Sequence, residues 1–154
     1  MLRAFDRAFV DEAMTEFEAL DPDQSPEWGS MRPPQMYAHL AMAVRYGLGK
    51  EDLVPDEGNF FVRRILSPIL VSGIMKLPKG VAKPKMYDAQ APQAAVDELR
   101  VEIEELLARV EDGSFDPPPH SMLGDLGPAG WCKLHIIHFE HHLRQFGGTL
   151  RTKG

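Results

Sequence analysis

Every long apolar pattern in this 154-residue chain recurs at three- to four-residue spacing, and no segment alternates at every second position. That period belongs to helices with one buried stripe, so the sequence predicts an all-α fold. Phe5, Phe9, Ala13, Phe17 and Leu20 form the first stripe, which Asp21-Pro22-Asp23 ends. Pro33 and Pro34 can open a second helix without wasting a backbone donor; it runs to about Tyr46, with Gly47 and Gly49 as its stop. Residues 59 to 75 read as helical, with a kink or break at Pro68, and 76 to 93 as an ordered loop. Val96, Leu99, Ile103, Leu106, Leu107 and Val110 give the cleanest stripe, closed by Gly113. A Pro/Gly-rich segment from Asp116 to Gly130 then leads to a last helix from near Trp131 to Gly147-Gly148. Four main helices, an extra short one and long loops fit an antiparallel bundle.

The length suits one domain over 1–154, with 149–154 as a frayed tail. Hydrophobic residues at 44% and charged residues at 26% match a packed globular chain. With Lys+Arg 17 against Asp+Glu 23, the net charge of -6 has the wrong sign for neutralising phosphates, which excludes nucleic acid as an expected partner. The longest apolar run, Ile65 to Met75, is broken by Pro68 and Gly73 and falls short of the about 20 residues a bilayer span needs. Met1 to Asp6 lack a secretory pattern, and a lone Cys132 suits a reducing compartment, so the cytoplasm is expected. An apolar outer stripe on the Phe5–Leu20 helix would permit a homodimer.

The chemistry concentrates in the last helix, where four of the six histidines lie. At about 100° per residue, Trp131, His135, His138, His142, Gln145 and Phe146 share one face, Glu140 points away and His141 lies at the flank. His138 and His142 stand one turn apart, so their imidazoles can converge on one ion. His135 and His142 are two turns apart, about 10 Å along the axis, so these three cannot share it. A third ligand must come from elsewhere: His39 on the second helix, His120 in the Pro-rich loop, or a carboxylate. Facing helices in a bundle supply ligands to a shared core, which favours His39. The competing reading is that such histidines are hydrogen-bonded core or surface residues.

Trp28-Gly29-Ser30-Met31, Gln35-Met36-Tyr37-Ala38-His39-Leu40, Leu77-Pro78-Lys79-Gly80, His120-Ser121-Met122-Leu123-Gly124-Asp125-Leu126 and Trp131 through Gly147 resemble, in this order, the DinB-like (DinB/YfiT) metalloenzyme superfamily, in a branch of unassigned function. The resemblance implies a four-helix bundle with a divalent metal held by His39, His138 and His142, zinc first and nickel, iron or manganese as alternatives. It also implies that Gln145 orients a ligand or closes the helix. Ser121 stands where the branch has proline, and Arg32 where it has a small hydroxyl residue, so the second helix needs another cap, such as Ser30.

Three imidazoles with an open fourth position describe a catalytic rather than a closed structural site. Such an ion makes a nucleophile of water or thiol near neutral pH. By analogy with the superfamily, the expected function is that of a thiol S-transferase or hydrolase acting on a small molecule, with a low-molecular-weight thiol as a further cofactor. His120 and His135 are the acid–base candidates, and His141 is expected to be a flanking polar residue. Cys132 is expected to be a packing residue, and Trp28 and Trp131 to be pocket wall or core. The alternative is a non-enzymatic metal- or ligand-binding bundle in stress response.

Overall fold

A computed structural model describes residues 3–51 and 93–150. The helix and loop expected between 59 and 92, and with them the extra short helix, lie outside the described residues. Within them stand four α-helices: α1 (Arg7–Glu18), α2 (Pro33–Gly47), α3 (Val96–Asp112) and α4 (Gly127–Arg144). No strand occurs among the described residues; one isolated bridge joins His120 and Gly124.

Each helix starts and stops for a local reason. Asp6 caps α1 by accepting from the Phe9 N–H at 2.9 Å. Arg32, which has no acceptor to offer, precedes α2; Gln35 Oε1 instead reaches back to the Arg32 N–H at 3.1 Å, so Gln35 rather than Ser30 completes this end. Gly113, at φ 78°, ends α3 in the left-handed region, where a glycine carries no Cβ penalty. The last helix begins at Gly127 rather than near Trp131. Pro128 lies in its first turn, where a missing N–H costs nothing, so a residue that reads as loop punctuation is a helix start.

The stripes meet as their periods require. α1 and α2 each pack on both α3 and α4. Phe9, Ala13 and Phe17 of α1, Leu40 and Val44 of α2, Leu99, Ile103, Leu106 and Leu107 of α3, and Phe139 of α4 are buried in one core. The Phe139 ring stacks on Phe9 at a centroid distance of 6.1 Å and meets Phe17 edge-on at 5.8 Å. Tyr37 donates its hydroxyl hydrogen to the Phe17 carbonyl at 2.6 Å, tying α2 to α1 inside this core. The apolar stripe of α1 therefore faces inward, and its outer side exposes Arg7, Asp11, Thr15 and Glu18. Leu150, expected at a frayed end, is buried. No helix among the described residues is long and apolar enough to cross a membrane.

Phe139 is fully buried and Val101 is 62% exposed, which sets a direct contrast. Phe139→Ala is expected to cost about 3–5 kcal/mol in urea unfolding, and Val101→Ala less than about 0.5 kcal/mol. Equal losses would contradict this placement of α4 and α3.

Candidate metal centre

α2 and α4 carry the site. Pro33 starts α2 so that Met36, Leu40 and Val44 fill the core, and His39, on the same buried side, is only 4% exposed. On α4, His142 is 3% exposed and His138 half-buried. The one-turn spacing of these two brings His142 Nε2 to 3.1 Å from His138 Nε2, and His39 Nε2 comes to 2.8 Å from the same atom. All three ring centroids are mutually 4.8 Å apart. Each ring offers one nitrogen, the three lie within 4.8 Å of one another, and the group contains no carboxylate.

The hydrogen bonds fix what these nitrogens carry. Gln145 directs its Nε2 to the Trp28 carbonyl at 3.4 Å, which leaves Oε1 facing His142 Nδ1 at 2.6 Å. An amide oxygen only accepts, so His142 carries its hydrogen on Nδ1 and presents a lone pair at Nε2. His138 Nε2 then faces two imidazole nitrogens, and one hydrogen on it can serve only one of them well. Burial, then the neighbouring imidazoles, hold His138 well below the ordinary histidine pKa, so protonation is not the remedy at neutral pH. A cation is. Ligand nitrogens around a tetrahedral zinc are about 3.3 Å apart; His138 Nε2 stands slightly nearer than that to each of its two neighbours, and all three donor atoms lie within 4.8 Å of one another. The donor set and its tautomer thus fit a divalent ion.

His120 and His135 are not among the converging rings. His120 Nδ1 accepts from the Met122 and Leu123 N–H groups, both at 3.0 Å, and so shapes its own loop. Its ring lies 5.2 Å from Trp131, whose indole N–H donates to the Pro118 carbonyl at 2.9 Å. The His135 ring lies 5.5 Å from Trp131. A Cβ on Gly47 would stand 3.0 Å from His135 Nε2 and 3.1 Å from Trp131, so Gly47 makes room for both rings besides ending α2. Both histidines lie near enough that a charge on either disfavours a charge on His138. Trp131 is core, and Trp28, half-buried, meets the His141 ring edge-on at 6.1 Å. Burial pushes the Cys132 thiol up to about 11, which keeps it a packing residue rather than a ready nucleophile.

The sequence reading found Gly47 only as a helix stop, and missed its place beside His135 and Trp131 and the roles of the Trp28 carbonyl and Gly29. The Gly29 Cα faces Gln145, with room for a Cβ only at 3.0 Å from its Nε2. A glycine beside a tryptophan in a loop was the visible signal, but nothing in the chain order pairs it with residue 145.

Burial lowers His135 to about 3 and His120 to about 4, so both stay neutral in the fold at pH values where the unfolded chain takes up protons. Stability from these depressed groups is full above about pH 6.5 and is lost as the pH falls toward the folded values. In metal-free protein, His135→Leu should make the fall of unfolding free energy between about pH 6 and 4 shallower by about one proton. An unchanged slope would show that His135 is not buried neutral.

No match to this chain is found among curated proteins or among solved structures. A family model does match residues 2–149, under the description "Protein of unknown function (DUF1569)". That span takes in α1 to α4 and all three converging histidines, and the chain is a member of that uncharacterised family.

Proposed function

We propose that His39, His138 and His142 hold a divalent ion, zinc first, in a DinB-like bundle that acts in the cytoplasm as a thiol S-transferase or hydrolase on a small molecule. The observation that carries this reading is the meeting of three Nε2 atoms at 2.8 and 3.1 Å with the His142 hydrogen held away on Nδ1. Such a donor set is what a borderline-soft cation prefers. The ion would supply Lewis acidity, lowering the pKa of a water or thiol to give a nucleophile near neutral pH.

The chain's own residues supply the rest. His39 and His142 are almost sealed and His138 is partly open, which supports access from the His138 side. Gln145 keeps His142 in the ligating tautomer. His120 and His135 are the candidates for proton transfer, and their influence on the charge of His138 supports that reading. The partners in this reading are a small-molecule substrate and a thiol, and the net charge of -6 argues against nucleic acid.

Two measurements follow. In protein purified without chelator, His138→Ala or His142→Ala should strip most of the metal found by elemental analysis, and His141→Ala should leave it; equal loss in the His141 variant would place the ion on another face. In a screen of activated esters, amides and electrophiles with a small thiol, the loaded protein should turn over at least one. Chelation should abolish that activity, as should His39→Ala with the fold retained on circular dichroism. Inert loaded protein would favour a non-enzymatic binding bundle, and activity indifferent to chelation would refute the mechanism.

A further inference from the structure

The loop between α1 and α2 is fastened to the C-terminal end of α4 at several points. The Glu27 N–H donates to the Gln145 carbonyl at 2.6 Å, and Gln24 Nε2 donates to the Phe146 carbonyl at 3.4 Å. The Trp28 carbonyl accepts from Gln145 Nε2 at 3.4 Å. Within the loop, Arg32 Nη1 donates to the Asp23 carbonyl at 3.0 Å and holds its two ends together. Gly29, at φ 78°, lies flush against the Gln145 amide, where a Cβ would come to 3.0 Å from Nε2. A loop tied on both sides of that position cannot easily back away, so a side chain at 29 would displace the amide. The same amide holds His142 Nδ1 at 2.6 Å.

We propose that the Glu27–Gly29 loop, and Gly29 above all, is a positioning element for His142, acting through Gln145 to fix the tautomer and aim of one ligand. The proposal rests on the metal reading for its consequence, that a residue making no contact with the ion sets how tightly it is held. Partners of a ligating imidazole typically change metal affinity by roughly 10- to 100-fold when lost. The chain carries its own control in Gly113. Its φ of 78° equals that of Gly29, and a Cβ there would meet nothing within 4 Å. Gly113→Ala therefore suffers the same backbone strain without touching the amide.

The test compares the full chain with Gly29→Ala, Gly113→Ala, Gln145→Leu and Gln145→Glu, in two readouts. In Zn2+ competition against a chromophoric chelator, Gly29→Ala and Gln145→Leu should weaken binding roughly tenfold or more. Gly113→Ala should lower the melting temperature of the metal-free protein about as much as Gly29→Ala does, yet leave affinity where it was. Gln145→Glu, which still accepts from Nδ1 but can no longer donate to the Trp28 carbonyl, should bind more tightly than Gln145→Leu. In nitrogen-15 spectra of the metal-free protein, His142 should carry its hydrogen on Nδ1 in the native and Gln145→Glu chains, and lose that preference in Gly29→Ala and Gln145→Leu. Gly29→Ala with native affinity and native tautomer would overturn the proposal, as would Gln145→Glu damaged as badly as Gln145→Leu. A native chain that takes up no Zn2+ would sink the metal reading instead, and the tautomer spectra would still decide the role of Gly29.

Discussion

Bringing three imidazoles to one point between α2 and α4 is the constraint on which the site depends. Buried polar rings cost free energy unless their nitrogens are met, so the helices that carry them must be aimed closely. The aim comes from several independent features. Gln35 and Pro33 set where α2 begins, which puts His39 on its buried side. Phe139, one residue past His138, is clamped between Phe9 and Phe17 and fixes the rotation of α4. Toward the other end of α4, Gly47 gives way to Trp131 and His135. The site is a product of the apolar core, which contributes no donor to it.

The group of three rings contains no carboxylate, and burial keeps His138 neutral. In the proposed reading an ion on this neutral donor set keeps its full charge. That favours an anionic partner such as hydroxide or thiolate in the remaining position, the property that separates an activating centre from a closed structural one.

Much of this was legible in the sequence because it rests on local periodicity. The 3.6-residue stripes gave the helices, and the one-turn spacing of His138 and His142 gave two converging rings. His39 followed from the rule that facing helices share a core. What was not legible depends on residues far apart in the chain. Gly29 and Gln145 meet only after the loop docks on α4, and Gly47 shows its second role only when Trp131 and His135 arrive beside it. The start of α4 was misread for another reason: proline serves both as loop punctuation and as a first-turn residue, and local order does not separate the two. Periodicity also marked an apolar side on α1 without saying what covers it, and Phe9, Ala13 and Phe17 lie in the core.

The central claim is tested most directly by X-ray absorption at the zinc edge of the zinc-loaded protein, which counts imidazole ligands through their outer-ring scattering. The account predicts three imidazole nitrogens at about 2.0 Å and one further light atom, or a sulfur when a small thiol is added. Fewer than three imidazoles, or a protein sulfur from Cys132 in the native shell, would contradict it.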